Sequence, residues 1–261
     1  MEYVVEGFNN SAKRILNILN KLQNATSGDS AFIAWSKALD TIEQIPKKDP
    51  HELQRKLGLL KNELDLLEIS MSSTELSKSL YLPYIERIKA TVSITNLDSP
   101  WTNYVGQLGP DVMLCIMFCS EILPSDPNVK FDELNELLNK IKSFREEISS
   151  NNLPLSTNQF VNSQLNIIEN AILDFPIKGG IAVKQAFTAG LSDLSDKEDS
   201  LVKDEAISVI PKVGTFWKDL KKAGDEFVAT DRIVNALVSL TEKGQSIANS
   251  IISYLPPGTN S

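Results

Sequence analysis

The sequence contains a single histidine, His51, which follows Pro50 in the first turn of a predicted helix. Serine and cysteine hydrolases need a histidine as general base beside the nucleophile, and clustered histidines and cysteines form the common zinc sites. Beyond His51 the chain offers only Cys115 and Cys119 for such a cluster. We therefore predict no catalytic residue, no metal site and no cofactor, and we expect that the protein is not an enzyme.

The two cysteines lie four residues apart in the most apolar run of the chain. On a helix they share a face, with Cβ atoms about 5–6 Å apart, which is too far for an unstrained disulfide. We expect Cys115 and Cys119 to be buried core thiols.

Two adjacent glycines follow a lysine at Lys178, Gly179 and Gly180 and run into an apolar segment. The N-terminus of a helix can bind an anion through its free N–H groups, so these three residues are a candidate anion-binding site. A dinucleotide loop, however, needs a third spaced glycine after a strand, and here residues 174–176 end a helix. Glycines after a helix let the chain turn. The favoured interpretation is a joint between two helices.

Helical patterns repeat from one end of the chain to the other, and the clearest covers residues 49–69. Asp49 is placed as the N-cap, Pro50 takes the first helical position, and leucines recur every three or four residues. The fold class is therefore all-α, a multi-helix bundle of about nine to ten amphipathic helices. The other predicted helices span residues 11–23, 30–45, 74–94 with a kink or break at Pro83, 110–123, 132–149, 157–175, 181–191, 197–210, 212–227 and 233–254.

The turn-rich loop at residues 123–130 is the predicted boundary between two packed helical subdomains, residues 1–124 and 131–261, with a single domain as the alternative. The helix at 110–123 is the most apolar element, so we expect it at the centre of its bundle.

The composition is that of a soluble globular protein, with 42% hydrophobic and 23% charged residues. The formal net charge of −8 argues against nucleic acid as a partner. The N-terminus lacks the basic start and apolar core of a signal peptide, and the apolar run at residues 112–118 is too short to cross a bilayer. We predict a cytoplasmic protein.

Two C-terminal segments carry narrow apolar seams of the kind seen in coiled coils. In the first interpretation, both seams pack into the protein's own core. In the second, one seam binds another protein or a second copy of the chain. Membrane docking through Phe216 and Trp217 is less favoured, because acidic residues dilute the neighbouring lysines. The candidate partner-binding residues are Phe216, Trp217, Leu220, Ile233, Leu237, Leu240, Ile247 and Ile251.

These observations lead to one functional hypothesis and two alternatives. The hypothesis is a non-enzymatic helical protein that acts through protein–protein contacts as an adaptor, a scaffold or a subunit of a larger assembly. The first alternative is an enzyme of unrecognised type, with a pocket at Gly179–Gly180 or in the loop at residues 96–110, lined by Asp98, Trp101, Tyr104 and Asp111. The second is a helical effector that docks on membranes or remodels them.

Overall fold

The computed structural model of the protein describes residues 10–39, 50–92, 97–126, 131–149, 153–201 and 209–223. These residues contain ten α-helices and no β-strand, apart from an isolated bridge between Ser30 and Pro100. The predicted all-α, multi-helix fold is confirmed. The helices are α1 (Ser11–Leu22), α2 (Ala31–Leu39), α3 (Pro50–Ser72), α4 (Leu82–Thr91), α5 (Thr102–Val105), α6 (Pro110–Ile122), α7 (Phe131–Ser149), α8 (Leu155–Lys178), α9 (Gly180–Leu201) and α10 (Ile210–Ala223).

The described residues group into two compact units. The N-terminal unit consists of those up to Asp126 together with Asp174–Gly179, and the C-terminal unit consists of those in 127–173 and from Gly180 onwards. The two subdomains expected from the sequence stay a prediction, because a division by contacts does not show that either part folds alone.

Helix α1 is the central helix of the N-terminal unit and packs against α2, α3 and α6. It begins after Asn10, whose Oδ1 accepts a hydrogen bond from the Lys13 N–H at 2.9 Å, as expected of an N-cap. Eight of its twelve residues are buried, among them Ile15, Ile18 and Leu19. Helix α4 packs on α3 and α6 and closes the unit.

The expectation that the helix at residues 110–123 lies at the centre of its bundle is wrong. Helix α6 buries Val112, Ile116 and Cys119 and leaves its opposite face exposed. Its main packing partners are α1 and α4, which cover only one side of the helix. A helix that is apolar on all sides is usually surrounded by others, and this one lies at the edge of its unit.

Three expectations about helix ends also needed correction. Residues 74–77 are not helical, and α4 begins at Leu82 with Pro83 in its first turn, where the missing proline N–H is not needed. The expected break between residues 191 and 197 is absent, because α9 continues through it to Leu201. Helix α8 extends through Pro176 to Lys178, so this proline lies within the last turn of the helix instead of ending it.

The C-terminal unit is held by aromatic contacts from α10. The ring of Phe216 lies 5.3 Å from that of Phe144 on α7, and the ring of Trp217 lies 5.1 Å from that of Phe187 on α9. The indole N–H of Trp217 donates to the side-chain oxygen of Gln164 on α8 at 2.9 Å. These contacts place the apolar face of α10 inside the unit.

Candidate functional surface

The exposed side of α6 carries the most concentrated apolar surface of the N-terminal unit. Leu114, Met117 and Phe118 are 61%, 46% and 53% exposed. Their spacing of three and four residues places them side by side on the helix. We call these three residues the α6 apolar face. The other large exposed apolar side chains of the described chain are Leu66, Ile69, Leu80, Val105, Leu155 and Ile181.

Helix α6 is fixed at its C-terminal end by Asn10, the N-cap of α1. The Asn10 side-chain amide donates to the carbonyl of Ser120 at 3.0 Å and to that of Leu123 at 3.1 Å. These are carbonyls of the last helical turn, which have no partner within the helix. Because Val112 and Ile116 also lie in the core, the α6 apolar face is presented by a helix that is held at its end and along its length.

Charged side chains stand at both ends of the α6 apolar face. At the N-terminal end, Arg87 forms an ion pair with Asp111, and the hydrogen bond from Arg87 lowers the pKa of the Asp111 carboxyl. At the C-terminal end, Glu121 is exposed. The sequence has no lysine or arginine between Lys89 and Lys130, so the segment around α6 supplies no positive charge of its own.

The two thiols of α6 differ in their positions: Cys115 lies at the edge of the α6 apolar face, and Cys119 lies in the core. Cys119 is buried and Cys115 is half-buried, and both are free. The Cys115 thiol lies 3.5 Å from the carbonyl oxygen of Leu80. A hydrogen bond from Cys119 lowers the pKa of Cys115, whereas the same contact and burial raise that of Cys119. Cys115 is the more accessible of the two thiols.

The most deeply buried charges of the N-terminal unit belong to Arg14 and Glu63, whose side chains are 3% and 2% exposed. The Arg14 Nε and Nη2 atoms donate to Glu63 Oε1 at 3.1 and 2.5 Å, and Nη1 pairs with Asp126. Burial raises the pKa of Glu63, and the charge and hydrogen bonds of Arg14 oppose that rise. Arg14 also donates to the carbonyl of Ile177 at 3.2 Å, so one guanidinium joins α1, α3 and the end of α8.

Gly179 forms the joint between α8 and α9. Its φ of +60° belongs to the left-handed region that favours glycine, and its N–H donates to the Phe175 carbonyl at 2.8 Å. A Cβ atom at this position would lie 2.5 Å from Nη1 of Arg14, so the close guanidinium also requires glycine. The turn between the two helices explains why residue 179 is a glycine. An anion-binding role for Lys178, Gly179 and Gly180 stays a prediction.

The structure places the predicted partner-binding residues of α10 in the core. Phe216 is 5% exposed, and Trp217 and Leu220 are fully buried. These three residues therefore pack into the protein's own core and form no exposed surface. The remaining candidates lie outside the described residues: Ile233, Leu237, Leu240, Ile247 and Ile251.

The residues proposed to line a pocket in the loop at 96–110 do not converge. Trp101 is buried, with its ring 6.1 Å from that of Trp35 and 6.2 Å from that of Tyr104. Asp111 pairs with Arg87 at the start of α6. Asp98 alone lines an open cleft of about 430 Å³, together with Phe32, Pro50, Gln54 and Leu97. Trp101 and Tyr104 thus attach the loop to the core.

The described ranges contain neither a cluster of metal ligands nor a single membrane-spanning helix. No group of three or more His, Cys, Asp or Glu side chains is arranged to hold a metal ion there. No single helix in the same ranges is long and apolar enough to cross a membrane, although residues 102–108 and α6 together, bent by 47°, meet the length and composition required.

The fold and surface define an all-α protein of two compact helical units with an exposed apolar helix face. No family model, curated protein or solved structure matches the chain.

The α6 apolar face was not predicted from the sequence, because the apolar character of this helix indicated burial. A signal was present, since residues 110–122 are apolar on more than one side and no basic residue occurs from 90 to 129. Which side α1 and α4 cover is a matter of tertiary packing, and helix periodicity does not specify it.

Proposed function

We propose that this protein acts through protein–protein contacts, as an adaptor, a scaffold or a subunit of a larger assembly. The observation that supports the proposal is the α6 apolar face, Leu114, Met117 and Phe118, each about half exposed on one side of a rigidly held helix. Contiguous exposed apolar patches on soluble proteins commonly mark interaction sites.

The composition of the face suits a protein partner. Aromatic residues and methionine are enriched at protein interfaces, and a central aromatic side chain often contributes much of the binding energy. Phe118 is the aromatic residue of this face, between Leu114 and the exposed Glu121 at the helix end. Because the helix is already fixed by Asn10, a partner does not have to order it, which lowers the cost of binding.

A membrane surface suits the same face less well. Helices that dock on membranes combine an apolar face with a polar face rich in lysine and arginine. Here the nearest charges of α6 are Asp111 and Glu121, and Arg87 is already paired with Asp111. Acidic side chains without free basic ones would repel the anionic headgroups of a typical cytoplasmic leaflet.

Native mass spectrometry on protein purified gently from cells that express it tests the proposal. We expect the wild-type chain to appear in a complex, and we expect Phe118→Glu to release the chain as a species of 28.9 kDa. Leu155→Glu is the matched control, because Leu155 is 73% exposed at the first residue of α8 and lies in the other unit. A complex that survives Phe118→Glu as well as Leu155→Glu would contradict the proposal.

A further inference from the structure

We propose that residues 1–9 of this chain dock on the α6 apolar face and that a partner protein binds the face by displacing them. The displacement rests on the proposed function, because the partner is the one proposed there. Residues 1–9 precede the described part of the chain, which starts at Asn10. The place where this segment joins the fold, its length and its apolar pattern favour it as the occupant of the face.

Residues 1–9 join the fold at Asn10, directly at the C-terminal end of α6. Asn10 is only 4% exposed, and its side-chain amide donates to the carbonyls of Ser120 and Leu123. The backbone of Asn10 is extended, with φ of −163° and ψ of 175°, so the chain before it departs from the axis of α1, as it does at an N-cap. The segment therefore starts beside the last turn of the helix that carries the exposed face.

The segment is long enough to cover the whole face. Phe118 and Leu114 lie two and six positions before Ser120, which is about 3 and 9 Å along the axis of α6. Nine residues span at most about 30 Å when extended. That reach leaves length for the path around the side of the helix, which is about 10 Å across.

The apolar residues of the segment are spaced as one side of a helix. They stand at positions i, i+3, i+4 and i+7, the pattern of a helix that buries one side. Glu2 and Glu6 fall on the opposite side of the same pattern. The segment can therefore set its apolar side against the α6 apolar face while both carboxylates stay in water. The apolar residues are Met1, Val4, Val5 and Phe8.

The size of the face favours a segment of the same chain as its occupant. The largest apolar patch on a typical monomer is about 300–600 Å², whereas a standard interface takes about 800 Å² on each partner. A tethered segment can use the smaller area, because its effective concentration at the face is about millimolar and because its docking does not join two free molecules. A partner protein must therefore offer further contacts around the face to displace it.

Photo-crosslinking of the purified full-length chain at low micromolar concentration tests the docking. A photoreactive phenylalanine analogue replaces Phe118, and unlabelled protein is mixed with isotope-labelled protein. Trypsin separates residues 1–13 from residues 90–130, and fragmentation of the crosslinked peptides locates the linked residue. We expect a crosslink to residues 1–9 that joins peptides of the same label only.

Two aromatic-to-aspartate variants test whether the apolar side of the segment makes the contact. Phe8→Asp places a charge on that side and should lower the yield of the crosslink by about tenfold. Tyr3→Asp is the matched control, because the change of charge is the same and Tyr3 lies off the apolar side; it should keep most of the yield. A crosslink that survives Phe8→Asp overturns the proposal. So does the lack of any crosslink to residues 1–9, or a crosslink between two copies.

Native mass spectrometry tests the competition for the face. A variant that lacks residues 2–9 should show a larger fraction of the chain in the complex than the wild type does, and circular dichroism checks that its helices are retained. Equal fractions would overturn the proposal, whereas release of the partner by Phe118→Glu would still support the proposed function. If neither chain shows a complex, the proposed function and the competition both fail. If neutral lipid vesicles remove the crosslink, a membrane displaces the segment and the proposal is also overturned.

Discussion

Replacing Arg14 by methionine should destabilise the protein strongly, because it leaves Glu63 buried without its counter-charge. Both side chains are at most 3% exposed. Removing one member of a buried ion pair costs about 3–5 kcal/mol, whereas replacing the whole pair by apolar residues is often neutral. We therefore expect Arg14→Met to lower the free energy of unfolding by about 3–5 kcal/mol. The double variant Arg14→Met/Glu63→Leu should recover at least about half of that loss.

The loss of stability caused by Arg14→Met should depend on pH, and the titration of Glu63 sets the direction of that dependence. Burial raises the pKa of this carboxyl in the folded state, and Arg14 opposes the rise. Without Arg14 the folded pKa moves further above its unfolded value, so the folded state keeps a proton that the unfolded state has lost. Stability then falls as pH rises from the unfolded pKa to the folded pKa. Arg14→Met should therefore be less destabilising near pH 4 than at pH 7.

Urea unfolding followed by circular dichroism at both pH values measures these effects. The control is Lys37→Met, which removes a cation that is 55% exposed in its pair with Asp29, and which should cost about 1 kcal/mol or less. The reasoning is refuted if Arg14→Met costs no more than Lys37→Met. It is also refuted if the double variant is as unstable as the two single variants added together.

Two further predictions concern the joint and the C-terminal unit. Gly179→Ala should lower the free energy of unfolding by about 1–2 kcal/mol, because alanine is strained in the left-handed backbone conformation. The close contact with the guanidinium of Arg14 should add to this loss. Urea unfolding measures the loss, and an unchanged midpoint would contradict the prediction. Gln164→Leu leaves the buried indole N–H of Trp217 without its acceptor and should cost about 1–3 kcal/mol. The same titration, followed by tryptophan fluorescence, tests this prediction, and an unchanged midpoint would contradict it.

The helices could be predicted from the sequence because the apolar spacing is regular. Residues 50–72 illustrate this, since the helix buries all five leucines of the stripe that predicts α3. It also buries Lys56, Glu63 and Met71, which the stripe does not include. Helix ends were less predictable. Pro83 lies in the first turn of α4, where proline is tolerated, whereas Pro176 lies within the last turn of α8, and the sequence does not show where either helix end falls.

The candidate surface could not be predicted from the sequence, because an apolar side chain does not specify its own neighbours. Phe216 and Trp217 are buried, whereas Met117 and Phe118 are about half exposed, although all four belong to apolar helical patterns. The difference comes from which helices pack alongside, and that follows from contacts between residues far apart in the sequence.

The most direct test of the account is photo-crosslinking from the α6 apolar face in cells. A photoreactive phenylalanine analogue at Phe118 replaces one exposed aromatic ring with another, and the same analogue at Leu155 serves as the control, because both positions are exposed. We expect a discrete crosslinked protein from position 118 and none from position 155. Equal, diffuse crosslinking at the two positions would contradict the claim that this face is a contact surface.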